Sequence, residues 1–240
     1  MTPALPARPV DPGPSRFSFA RVVADAGEED LIAAGADLAP ATLLAAYRAG
    51  AFPMGLDGLD DVMAWWSPAE RGILDPARLH TSRSLVRSAK AMRFSVDADF
   101  EGVVAGCADP ARSGAWITPE IAEAYADLHR LGWAHSIEVW ARDRLAGGLY
   151  GVAIGGLFAG ESMFHRATDA SKVALMALVE VIRSAPGPAL IDVQWRTDHL
   201  ASLGITTLDR SAYLARLPAL TSAPGPDWAA WRGRRHRVGG

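Results

Sequence analysis

The stretch from Leu145 to Lys172, LAGGLYGVAIGGLFAGESMFHRATDASK, constrains the rest of the chain most. Two apolar runs meet at Gly155-Gly156, and a turn and a helical segment follow. A two-residue glycine loop suits the primed turns that match strand twist, so the stretch predicts a β-hairpin leading into a helix. Side chains alternate along a strand, which puts Leu157, Ala159, Glu161 and Met163 on one face. A carboxylate in an apolar stripe is costly if it stays charged and unpaired. Glu161 therefore requires a cation, a set of donors or a ligand. A structural ion pair and a functional site both meet that requirement.

The flanking segments supply candidates. Pro40 to Gly50 (PATLLAAYRAG) predicts a helix, with Pro40 in its first turn and Gly50 past its end. Trp65 and Trp66 on an extended segment point opposite ways, one inward and one free to line a cleft. His80 to Arg93 predicts a helix on which Leu85, Ala89 and Met92 share a face. Arg83, Arg87 and Lys90 line another face, with no acidic partner in the segment. Such a stripe fits a solvated face or a phosphate backbone. Thr118 and Pro119 open a helix running to about Leu131. Ala134 to Arg142 is a strand whose His135 is read as hydrogen-bonded rather than as a base.

Leu190 to Gln194 (LIDVQ) predicts a short strand. Asp192 and Gln194 lie two apart and share a face, while Ile191 and Val193 point into a core. An amide can position an amine or a carbonyl. A neighbouring carboxylate can orient that amide or take up positive charge. A hydrogen-bonded pair at a strand end is the plainer alternative.

The 240 residues suffice for one large or two small domains with a real core. A net charge of -3 confines any nucleic-acid contact to a local patch. The single cysteine, Cys107, excludes an internal disulfide framework and a cysteine-rich zinc site, and is read as a small buried side chain. No apolar run approaches the roughly 18 residues of a membrane helix. The proline-rich N-terminus lacks the apolar core of a secretory signal. The expectation is a soluble cytoplasmic protein. Residues 1–16 are read as a loose arm, and 222–240, rich in proline, glycine and arginine, as a mobile basic tail. There is no phosphate-binding GxxxxGK[ST] loop, no HExxH or CxxC site and no GxSxG elbow.

Taken together, the segments resemble the bacterial leucyl/phenylalanyl-tRNA–protein transferases. The likeness is carried by Tyr47 to Pro53 (YRAGAFP), Trp65 to Pro68 (WWSP), Trp116 to Thr118 (WIT) and Ala134 to Trp140 (AHSIEVW). Gly147 to Val152 (GGLYGV), Gly160 to Phe164 (GESMF), Leu190 to Gln194 and His199 to Gly204 (HLASLG) continue it in register. It runs from about residue 27 to 217.

The resemblance implies an α+β fold: a small N-terminal α/β domain over 1–70, then a GNAT-like domain over 71–221. That second domain would have a mixed, mainly antiparallel sheet flanked by helices. The implied enzyme moves leucine or phenylalanine from tRNA to the N-terminal amine of proteins starting with Arg or Lys. Its products enter N-end-rule degradation, and it uses no metal or organic cofactor. By the same carry-over Asp192, Gln194 and Glu161 would be catalytic. Trp116, Tyr125 and Tyr47 would hold the terminal adenosine, and Arg83, Arg87 and Lys90 would meet tRNA phosphates. Leu149, Phe158, Met163, Leu175 and Leu178 would line the pocket for the aminoacyl side chain.

Met54, Val193, Thr197 and His165 depart from the family pattern. An acyl-CoA-dependent N-acyltransferase on a similar fold would need a Gly-rich pyrophosphate loop, which Ala167 to Lys172 is not. A non-catalytic tRNA- or peptide-binding module would not depend on Asp192 and Gln194.

Overall fold

The computed structural model describes residues 4–56, 62–112 and 116–239. The N-terminal part builds α1 (Ala20–Asp25), β1 (Leu31–Ala34), α2 (Pro40–Ala49), β2 (Phe52–Met54) and β3 (Ala64–Trp66). As the sequence predicts, α2 starts on Pro40 and stops at Gly50, whose φ of 86° is left-handed. The three strands pair antiparallel in the order β1-β3-β2. Trp65 is fully buried and donates its indole N–H to the Gly35 carbonyl, while Trp66 stays partly exposed. Alternation along β3 separates the two rings as expected.

The larger sheet has seven strands: β4 (Glu70–Leu74), β5 (Arg93–Val96), β6 (Ala134–Ala141), β7 (Arg144–Ile154), β8 (Leu157–His165), β9 (Leu190–Gln194) and β10 (Thr206–Asp209). Their order is β10-β4-β9-β8-β7-β6-β5. Neighbours run antiparallel except β8 and β9. A parallel pair needs a crossover, and the apolar segment after β8 supplies it as a helix. The helices are α3 (Arg83–Lys90), α4 (Phe100–Cys107), α5 (Pro119–Arg130), α6 (Ala170–Arg183), α7 (Asp198–Ala201), α8 (Arg210–Ser222) and α9 (Trp228–Trp231). The α+β class and the mixed, mainly antiparallel sheet flanked by helices are those expected.

Period-two alternation divides the core. Along β7, Leu149 and Ala153 pack on the side of α3 and α6. Tyr150, Val152 and Ile154 pack on the side of α2, α4 and α5. The hairpin turns at Gly155-Gly156, as predicted.

One expectation about β8 is corrected. Its pairing with β7 steps from Tyr150↔Ser162 to Gly151↔Gly160, which leaves Glu161 as the extra residue of a β-bulge. The bulge reverses the phase of the strand. Ala159 packs on the α4 side, whereas Phe158 and Met163 pack on the α6 side. Leu157, Ala159, Glu161 and Met163 therefore do not share a face. Gly151 permits this, because a Cβ there would collide with the Ala159 carbonyl.

The two ends are docked rather than loose. Val10 donates to the Leu131 carbonyl at 2.9 Å and accepts from the Trp133 indole at 2.8 Å. His236 pairs with Phe94 at the edge of β5, and Trp228 stacks on His135 at 4.0 Å between rings. Arg232 reaches the fully buried Asp97 at 2.8 Å. The tail's proline and arginine content hid three apolar anchors, Trp228, Trp231 and Val238.

Candidate active site

Glu161 is half-buried at the bulge. The Tyr125 hydroxyl donates to its Oε2 at 2.7 Å. The Tyr47 hydroxyl lies 2.5 Å from that of Tyr125. Because the Tyr125 proton is committed to Glu161, Tyr47 is the donor in that pair. Burial pushes the Glu161 carboxyl up to about 7, and the two tyrosine hydroxyls and Arg71 only partly offset this. Both tyrosines are pushed well above their ordinary range by burial and then by the charge of Glu161.

From β9, the Gln194 side chain brings its Nε2 to 3.5 Å from Glu161 Oε1. Gln194 holds a left-handed φ of 57°, unusual for a residue with a side chain. That twist ends the strand and turns the amide toward Glu161.

Asp192 lies beneath, fully buried. Its Oδ1 accepts from Arg71 Nε and from the Gln194 backbone N–H, both at 2.9 Å. Its Oδ2 accepts from Arg71 Nη2 and from the Tyr213 hydroxyl, both at 2.7 Å. Burial alone would lower the pKa of Arg71, but the Asp192 carboxylate more than reverses this, so the guanidinium stays charged.

Leu149, Met163, Leu175 and Leu178 line one apolar pocket of about 130 Å³. Ile191 and Val193 from β9 complete its wall, and Glu161 and Gln194 line it too. An apolar cavity of roughly 150 Å³ accepts a benzene-sized group, so a leucyl or phenylalanyl side chain is of the right order. Phe158 is not part of this lining. The bulge leaves it fully buried below, 5.8 Å from the Trp228 ring.

The residues expected to contact tRNA do not form one group. Tyr47 and Tyr125 are each 1% exposed, so neither ring offers an open face for stacking. Trp116 is partly exposed ahead of α5, on the core side that holds Tyr125. Arg83, Arg87 and Lys90 are exposed on α3, opposite the buried Leu85 and Ala89, and Ser82 caps the helix. Thr197 caps α7, and the Met54 carbonyl accepts from the Trp66 indole at 3.0 Å. Nothing in the structure explains His165.

Sequence reasoning missed Arg71 and Tyr213. The first had a signal, a lone cation in the strand ERGIL, which begs the same question as Glu161. Tyr213 had none, since its partner is distant in sequence.

The family description "Leucyl/phenylalanyl-tRNA protein transferase" matches residues 73–218, and its N-terminal domain matches residues 36–69. A leucyl/phenylalanyl-tRNA–protein transferase of Anaeromyxobacter sp. (strain K) is 47% identical over 92% of this chain and 91% of its own. Those of Aromatoleum aromaticum and Stutzerimonas stutzeri are 49% and 48% identical, over 82% and 83% of this chain and 84% and 89% of their own.

The chain belongs to the leucyl/phenylalanyl-tRNA–protein transferase family. It is an aminoacyltransferase, and its substrates are an aminoacyl-tRNA and a protein. The candidate site in this chain is a carboxyl and an amide beside an apolar pocket. Among the described residues, no group of three or more His, Cys, Asp or Glu side chains is placed to hold a metal ion. No helix among them is long and apolar enough to cross a membrane.

Proposed function

We propose that this chain transfers leucine or phenylalanine from charged tRNA to the N-terminal amine of cytoplasmic proteins beginning with Arg or Lys. The modified proteins then enter N-end-rule degradation. The supporting observation is the joint placement of Glu161 and Gln194 on a pocket sized for one apolar side chain.

An aminoacyl ester is already activated, so attack by an amine needs placement, a neutral nucleophile and a stabilised oxyanion. The amine nitrogen bonds to the ester carbonyl carbon, and the terminal ribose oxygen leaves with the electron pair of the broken ester bond. With its carboxyl pushed to about 7, Glu161 takes up the amine proton at neutral pH. The Gln194 amide orients the reacting groups.

The pocket discriminates by only about 1–3 kcal/mol per methylene, which suits acceptance of both leucine and phenylalanine. Arg83, Arg87 and Lys90 meet tRNA phosphates. Trp116 offers the open ring for the terminal adenosine, where stacking contributes about 1–3 kcal/mol. The hydroxyls of Tyr47 and Tyr125 act through Glu161. The test is transfer of radiolabelled leucine from leucyl-tRNA to a peptide with N-terminal arginine. Label on the peptide supports the reading, and none with folded protein overturns it.

A further inference from the structure

Four donors surround the two oxygens of Asp192, and no part of the group reaches the pocket. A carboxylate so enclosed has no lone pair free for a proton from an incoming amine. Its connections run instead to the backbone of Gln194, whose N–H it holds at 2.9 Å. That residue keeps a φ of 57°, a conformation that persists only where surroundings enforce it. Gly72 adds the second constraint: a Cβ there would press within 2.8 Å of the Trp195 and Arg196 backbone. Beyond Asp192, the fully buried Arg71 donates to the Gly50 carbonyl at 3.1 Å. It lies 5.0 Å from the Phe52 ring centre and 4.6 Å from that of Tyr213. Gly50 closes α2, the helix that carries Tyr47. One guanidinium thus ties the end of α2, the helix whose Tyr47 is the outer member of the Tyr47–Tyr125–Glu161 chain, to the strand bearing Gln194.

We propose that Arg71 and Tyr213 are positioning residues for aminoacyl transfer, holding Asp192 so that it fixes Gln194 rather than receiving a proton. The proposal rests on the transferase reading above. It separates from the base reading of Asp192 by the sign of one effect. Tyr213→Phe keeps the ring beside Arg71 and frees a lone pair on Asp192 Oδ2. If Asp192 were a base, freeing it would leave the rate unchanged or raise it. As a positioning device, it loses a donor and Gln194 loosens.

The experiment measures leucine transfer with full-length wild type, Tyr213→Phe, Arg71→Lys and Arg71→Ala, normalised to sites titrated with charged tRNA. In Tyr213→Phe, kcat is expected to fall roughly tenfold with KM for charged tRNA unchanged, the size of effect that small misplacements of reacting groups produce. Arg71→Lys keeps the charge but cannot reproduce the two-pronged grip on the carboxylate, and falls further, about a hundredfold. Added guanidinium ion is expected to restore part of the rate of Arg71→Ala. An unchanged or raised kcat in Tyr213→Phe overturns the proposal, even where the Arg71 variants fail to fold. A wild type that transfers nothing overturns the functional reading instead, so the two failures are distinguishable.

Discussion

Glu161 and Glu138 are both pushed up to about 7 by burial, yet their surroundings differ. Glu138 is fully enclosed and accepts from the hydroxyls of Ser95 and Ser136 and from the Ala98 N–H. It does not line the pocket that Glu161 and Gln194 share, and its bond to Ser95 joins β5 to β6. A folded value above the ordinary 4.5 means that the folded chain holds the proton more tightly. Stability from this group is therefore full below about pH 4.5 and lost as pH rises through about 7. Glu138→Gln is expected to flatten the wild-type decline of melting temperature between pH 5 and 8, while transfer at pH 7 stays within about twofold. Glu161→Gln has the opposite signature. Transfer falls by about a hundredfold, typical of a lost acid-base group, and the pH-rate profile loses its limb near 7. Initial rates across pH check this.

At the scale of elements, the bulge in β8 decides the site. Without the extra residue, the strand would stay in phase and Glu161 would not stand between the tyrosine chain and Gln194. Gly151→Ala is expected to cost about 1–3 kcal/mol, because its methyl group strikes the Ala159 carbonyl and the Phe158 ring. Urea unfolding measures the loss, and transfer should fall with it. The element proposed to meet tRNA is α3. Its apolar side packs inward through Leu85 and Ala89, and its hydroxyl Ser88 bonds Asp169 at the start of α6 at 2.8 Å. The basic face is then held rigidly beside the pocket helix. Replacing Arg83 and Arg87 by alanine should weaken tRNA binding. The slope of log affinity against log salt should shrink by roughly 0.7–0.9 for each phosphate that is no longer neutralised.

Across the whole molecule, the chain ends close over the β5–β6 edge of the large sheet. Arg232 joins the C-terminal segment both to Asp97 and to the Pro6 carbonyl of the N-terminal arm. Burial alone would raise Asp97, but His135, His129 and Arg232 hold it down at about 2. Removing one partner of such a buried charge costs about 3–5 kcal/mol. Deleting residues 223–240 should therefore lower the melting temperature by many degrees, with transfer per folded molecule largely kept. A deletion that left the melt unchanged would mean that the segment is loosely held in solution.

Legibility in the sequence followed the range of the interaction. The α2 stop at Gly50, the Thr118 cap, the hairpin at Gly155-Gly156 and the strand LIDVQ depend on neighbours a few residues apart. Local pattern was enough for each. The oddity of a carboxylate in an apolar strand was also visible without coordinates, and so was the basic face of α3. Tertiary structure alone decided which groups complete the site. Arg71 meets Asp192 across 121 residues, and Tyr213 meets it across 21. The phase of β8 depends on a register step against β7, which alternation along one strand cannot reveal. Side-chain periodicity is a property of a segment. Bulges, buried ion pairs and docked tails are settled only when distant segments compete for the same space and the same hydrogen bonds.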